Sequence, residues 1–246
     1  MKLIRDYHVY SKYSKNGHCK NEIELIVQKG IEKGLKEIAI SDHGLQHFLY
    51  GTNEIHLKEA REEIDRLQPK YPEITIKLGI EANLIGFDGE TDITEKVVEL
   101  CDVIQMGIHF GVWFRPMQDA FKFFILNFLG RWFKPLRDHM IAKNTQAMIR
   151  AMERYPIDII THPGDKIPVD VAMLAQKAEE TRTLLEINNG HGHLTREEIQ
   201  AAEPFGVGFI IGSDAHTYDE IGEYKRALER INDAGLDLSR VVNLEG

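Results

Sequence analysis

The chain has 246 residues, 43% of them hydrophobic and 28% charged, with a formal net charge of −9 and two cysteines. This balance suits a globular protein with a sizeable core. The acid excess, without any lysine- or arginine-rich block, excludes a broad basic face for gripping duplex nucleic acid, and two cysteines cannot build a disulfide framework.

Short β-type runs occur at 3–9, 37–40, 74–79, 103–107, 157–161, 183–187 and 208–211, separated by amphipathic stretches such as 22–33, 55–67, 169–180 and 196–203. Seven strand signals, most followed by a helical one, predict a parallel α/β architecture. No linker, repeat or low-complexity tract divides the chain, so one domain over 1–246 is expected. The N-terminal MKLIRDYHVY reads as a strand rather than a leader peptide. The richest apolar run, 121–133, is interrupted by Lys122, Asn127, Gly130 and Arg131, and is too short to span a bilayer. The cysteine usage and these absences suggest a reducing, cytoplasmic setting.

Unusual polar residues fall at the ends of the predicted strands. His8 ends the first and Ser41-Asp42-His43 the second; Glu81 follows the third, His109 the fourth and His162 the fifth. Glu186 and Asn188 end the sixth, and Asp214 and His216 lie just past the seventh. In a parallel barrel all strand C-termini share one face, so these scattered residues would converge there. A doubly wound open sheet would spread them along a crevice instead. Imidazole and carboxylate donors together suit Zn, Mn or Fe. The candidate ligands are His8, His18, His43, Glu81, His109, His162, Asp214 and His216.

The motifs DYHVYS, ISDHG, GIEAN, THPGD and GSDAHT resemble those of the PHP (polymerase and histidinol phosphatase) family, and GIEANLIGFDGE, NTQAMI and LLEINN resemble its stand-alone bacterial phosphatase branch. The resemblance implies a distorted seven-stranded TIM-like β/α barrel with two to three divalent transition metals at the C-terminal face of the strands. It implies one metal on His8, Glu81 and Asp214, a second on Glu81, His109 and His162, and a third on His18, His43 and His216. One departure stands out: the family begins His-x-His, and this chain has Tyr10 at the second position. Either the first site has lost a ligand, or a hard cation ionises the phenol, whose ordinary pKa is about 10. Asp42 and Glu186 are candidates to orient ligating imidazoles, and Asn188 to do so or to touch substrate. His191 and His193, in a glycine-rich turn, read as surface residues, with contact to substrate the alternative, and His47, His56 and His139 fit no ligand pattern.

Between His109 and the helix bearing Asn144 lies an aromatic-rich insertion at about 110–138, which from 110 to 133 carries seven Phe and both Trp. Phe121, Phe124, Ile125, Phe128 and Trp132 fall on one helical stripe. Packing onto the barrel, a lid, a homo-oligomer contact and interfacial membrane attachment are the alternatives for this surface. The resemblance implies a phosphoric ester hydrolase acting on a small phosphorylated substrate through water activated by the metals. The rivals are a metal-dependent nuclease and a metal-binding regulatory protein weakened at Tyr10.

Overall fold

The computed structural model describes all 246 residues. Its strands are β1 (Lys2–Leu3), β2 (Arg5–Val9), β3 (Glu37–His43), β4 (Thr75–Asn83), β5 (Val103–Gly107), β6 (Ile159–Ile160), β7 (Leu184–Asn188), β8 (Phe209–Gly212) and β9 (Leu244–Glu245). The helices are α1 (Ile23–Lys33), α2 (Glu54–Leu67), α3 (Glu95–Leu100), α4 (Met117–Leu129), α5 (Lys134–Arg154), α6 (Val171–Thr181), α7 (Arg196–Ala202) and α8 (Lys225–Ala234). Strands β2 to β8 pair in chain order, all parallel, and form a nearly closed barrel with helices between the strands. The seven strands expected from sequence are these seven, and the open doubly wound alternative is set aside.

The barrel closes where β2 meets the chain just beyond β8. Tyr10 N donates to Ala215 O at 3.0 Å and Ala215 N to His8 O at 3.1 Å. Deeper in, the buried Asp6 carboxylate accepts from Ser213 N at 3.2 Å and Gly222 N at 2.9 Å.

Two strands run further than their hydrophobic signal. β3 and β4 stay in register from Glu37↔Thr75 to His43↔Glu81, so Ser41, Asp42, His43 and Glu81 belong to the ladder rather than to loops. The opening run breaks at Ile4, whose amide donates to Asn243 O. Leu3 thereby joins the small antiparallel β1–β9 pair, which the sequence did not suggest. Alternation along β3 sets Glu37, Ala39, Ser41 and His43 on one face. That face is inward: Ala39 packs with Val103, Ile159 and Ile210 in a small cluster separate from the 54-residue apolar layer between strands and helices.

Local sequence explains the helices. Asn53 caps α2 by accepting from Ile55 N and His56 N, and Leu57, Ala60, Ile64 and Leu67 form its buried stripe. Thr195 and Glu198 make a capping box at the start of α7. The aromatic insertion becomes α4 and the turn before α5. The helix begins at Met117 and stops at Gly130, earlier at both ends than the 121–133 run. Its core face lies outside the stripe of Phe121, Phe124, Ile125, Phe128 and Trp132. Phe123 is the buried ring, stacked on Phe114 at 4.5 Å, and Asn127 is buried one turn later. Phe121, Phe128 and Trp132 are instead exposed. No helix is long and apolar enough to cross a membrane.

Candidate metal centre

Inward-facing residues of β2, β3, β4 and β7, with the turns after β5, β6 and β8, meet at the C-terminal mouth of the barrel. The mouth opens into a cleft of about 580 Å³. Glu81 stands at its centre with no solvent exposure. Its Oε1 lies 2.9 Å from His162 Nε2, 3.0 Å from His109 Nε2 and 3.5 Å from His8 Nε2. Its Oε2 lies 2.7 Å from His43 Nδ1 and accepts from Tyr10 Oη at 2.6 Å.

The structure places all eight candidate ligands at this mouth, with donor atoms close enough to be grouped in more than one way. Donor atoms of His8, His162 and Asp214 lie within 4.8 Å of one another, as do those of His43, Glu81 and His109. His162 Nε2 is also 2.9 Å from Glu81 Oε1, next to His109 at 3.0 Å, so the set of Glu81, His109 and His162 is close-packed as well. His18 and His216 form a further pair, Nε2 to Nε2 at 3.0 Å. His216 Nδ1 lies 2.9 Å from the Asp214 carbonyl oxygen. A neutral His216 donating there keeps its Nε2 lone pair turned toward His18.

The second nitrogen of each imidazole explains how the rings are aimed. His8 Nδ1 is 2.6 Å from Glu186 Oε1, and His109 Nδ1 is 2.8 Å from Asn83 Oδ1. Such partners fix tautomer and ring direction. Glu186 also accepts from His162 N at 2.8 Å and Asn188 Nδ2 at 2.9 Å. Gly212 makes room for this carboxylate, because a Cβ there would collide with Glu186 Oε1 and crowd the Cβ of His8. His162 and Asp214 both have positive φ, a strained backbone for residues other than glycine that recurs at functional sites.

Asp42 differs from expectation. It orients no imidazole but accepts from Ser11 N at 2.9 Å, Ser11 Oγ at 2.6 Å and Ser14 Oγ at 2.5 Å, pinning the loop that leads to His18. His191 is not a mere surface residue, since its Nε2 lies 3.1 Å from Asp214 Oδ2. Two further residues escaped the sequence reading. Buried His47 stacks on His43 with ring centroids 4.8 Å apart and lines the cleft. Asn83, two residues past Glu81 on the same strand face, had a usable signal in that spacing.

The donor set fits cations on its chemistry. Glu81, Glu186 and Asp214 are buried together, and imidazoles rather than lysine or arginine face them. Burial alone would raise Glu81, yet the imidazoles of His109, His8 and His43 hold it well below the usual carboxylate range. Burial likewise would lower His8, but Glu186, Asp214 and Glu81 hold it well above its ordinary value. Protons on imidazole thus carry the positive charge that buried carboxylates demand. Meanwhile Asp214 Oδ1 and His43 Nδ1 are buried without a hydrogen-bond partner, the latter because its 2.7 Å approach to Glu81 lacks hydrogen-bond geometry. Unpaired donor atoms facing one space are what a cation site requires.

A β/α barrel with a histidine–carboxylate cluster at its strand C-termini defines the class. The PHP domain profile matches residues 6–238, and the chain belongs to this family. A "Probable phosphatase" of Citrobacter koseri is 30% identical over 249 residues, covering 97% of this chain and 89% of that protein. Another, from Thermoanaerobacter sp. (strain X514), is 29% identical over 259 residues, covering 100% of this chain and 92% of that protein. The fold matches the crystal structure of histidinol phosphate phosphatase from Lactococcus lactis, complexed with zinc, L-histidinol and phosphate. The TM-score is 0.61 at 16% identity, over 96% of this chain and 95% of that one.

Proposed function

We propose that this protein is a phosphoric ester hydrolase that releases phosphate from a small monoester with the help of two to three divalent cations. The observation that carries the reading is the buried carboxylate trio faced by imidazoles at the barrel mouth, with unpaired donor atoms on Asp214 and His43. The phosphatase names of the relatives support the same chemistry.

His8, His162 and Asp214 would hold one cation and His43, Glu81 and His109 another, with Glu81 close enough to serve both. His18 and His216 would contribute to a third. Cations in such sites supply Lewis acidity toward phosphoryl oxygen and make water nucleophilic near neutral pH. The chain does the positioning. Glu186 and Asn83 hold His8 and His109 in the tautomers that leave Nε2 free for the centre. Lys166, the one lysine lining the cleft, brings a positive charge to phosphate oxygens. His191 Nε2, 3.1 Å from Asp214, stands where a proton can be passed to a leaving alkoxide.

The test is metal content together with phosphate release, both measured on one preparation after loading with Zn²⁺, Mn²⁺ or Fe²⁺. Phosphate release from a panel of sugar, nucleotide and amino-alcohol monoesters is expected. Cleavage of short single strands without monoester turnover would refute the reading in favour of a nuclease. Metal binding without turnover of any substrate would refute it in favour of a binding protein.

A further inference from the structure

Beside the metal cleft lies a second cavity of about 300 Å³, walled by Phe110, Phe124, Ile125 and Phe128 and edged by Arg131 and Lys166. Phe110 and Lys166 line both cavities, so the two are immediate neighbours. Phe110 directly follows His109, whose Nε2 lies 3.0 Å from Glu81. The apolar space therefore begins one residue from the candidate metal centre. Its volume falls at the small end of ligand pockets, which run from roughly 300 to 1,000 Å³.

The walls are aromatic and their polar floor is already satisfied. The Phe110 and Phe124 rings stand 5.8 Å apart, and the Arg131 guanidinium lies 5.8 Å from the Phe128 ring centre. Asn127 is the one uncharged polar side chain in the lining. Its Nδ2 donates to Phe123 O at 2.9 Å and its Oδ1 accepts from Asn144 at 2.8 Å. Neither group seeks a ligand. A sugar or other polyol would find donors only at the Arg131 and Lys166 edge and none along the apolar wall, whereas a flat apolar group would lose little. Lys166 sits at the junction with only a loose contact to Asp165, at 3.8 Å.

We propose that this cavity is the leaving-group subsite, and that the substrate is a phosphomonoester of an aromatic or comparably apolar alcohol. The proposal rests on the hydrolase reading above. The phosphate lies in the metal cleft beside Lys166, and the organic group lies among Phe110, Phe124, Ile125 and Phe128. Recognition is divided accordingly, with the imidazole–carboxylate cluster binding the charged end of any monoester and α4 selecting among esters by their apolar end.

The experiment is a calorimetric titration of the zinc-loaded protein with 2-naphthylphosphonate and methylphosphonate, which share a non-hydrolysable head. It is run on wild type and on Phe128→Ser, Phe121→Ser and Lys166→Met. Phe128 is 54% exposed and Phe121 69%, so neither change threatens folding. Naphthylphosphonate should bind wild type at least about tenfold more tightly, and Phe128→Ser should remove roughly that factor for naphthylphosphonate alone. Phe121→Ser, on the same helix but outside the cavity, should change neither ligand, and Lys166→Met should weaken both. Equal affinities for the two phosphonates, failure of both to bind, or an equal loss in Phe121→Ser would overturn the subsite. So would a dimer by light scattering that Phe128→Ser dissociates without any phosphonate preference, which would assign the cavity to a second copy. Phosphate release from 2-naphthyl phosphate is followed separately. Its absence alongside retained naphthyl selectivity would sink the hydrolase reading and leave the apolar site standing.

Discussion

Replacing Tyr10 by phenylalanine deletes one oxygen at the centre of the cluster. That oxygen donates to Glu81 Oε2 at 2.6 Å, lies 3.0 Å from His8 Nε2, and belongs to a side chain only 1% exposed. Burial, reinforced by the Glu81 and Asp214 carboxylates, holds the phenol well above its ordinary pKa, so in the metal-free protein it stays protonated and donates. A buried hydrogen bond to a charged acceptor contributes about 1.5–3 kcal/mol. The metal-free Tyr10→Phe protein should lose that much, roughly 3–12 °C in Tm for a chain of this size. His43 Nδ1 already crowds the same carboxylate oxygen at 2.7 Å, so a cation arriving there must displace the phenol proton. The variant has no such proton to displace, and its zinc affinity should rise by roughly ten- to a hundredfold. Differential scanning calorimetry in EDTA and competitive zinc titration measure the two sides of this cycle. Zinc affinity that falls tenfold or more would refute the reasoning and make Tyr10 a phenolate ligand.

Glu81→Gln should lower metal content and cut turnover by at least about a hundredfold, because one carboxylate faces both donor groups; unchanged zinc by elemental analysis would contradict its central role. Glu186→Gln weakens the partner of His8 Nδ1 and should cost about 10–100-fold in zinc affinity, read by the same titration. Burial pushes His18, His43 and His47 down to about 4, so the stability they contribute is present above pH 6.5 and lost as pH falls toward 4. In His8 and His162 burial is outweighed by the neighbouring carboxylates and the pKa is raised, so their contribution is present below pH 6.5 and lost as pH climbs through the raised values. Imidazole NMR in EDTA should therefore find His8 and His162 titrating above the ordinary imidazole value and the other three below it. Zinc addition should then release protons, and calorimetry in buffers of differing ionisation enthalpy that detects no release would count against this assignment.

The barrel was legible because each strand signal ended in a polar residue that a parallel sheet must deliver to one face. His8, His43, Glu81 and Glu186 needed only that rule. Grouping the donors was less legible, since three-body distances depend on side-chain reach across strands. Glu81 alone lies within 3.5 Å of His8, His43, His109 and His162, so chain order cannot apportion these imidazoles. His47 and His191 lie in turns with no periodicity to place them; they enter the site because β3 and β7 lift those turns over the mouth. Asp42 pointed the wrong way for a simple reason. Alternation along β3 puts it on the opposite face from His43, where the Ser11–Ser14 loop meets it. Which side of α4 turns inward was not legible because nine of its thirteen positions are hydrophobic, and only the fit of Phe123 against Phe114 and Phe87 decides it.

The meeting of β2 with the chain beyond β8 is the barrel's seam, and its two lips carry His8 and Tyr10 on one side and Asp214 and His216 on the other. Two backbone hydrogen bonds join the lips at Ala215, whereas β3 and β4 share a ladder from Glu37 to His43. Cations seated between His8 and Asp214 would rivet the first strand to the last. Loading and closure of the sheet are then a single event, and a metal-stripped molecule opens first along this line. With the proposed cations in place, metal supply would govern how long the folded chain persists as well as how fast it turns over.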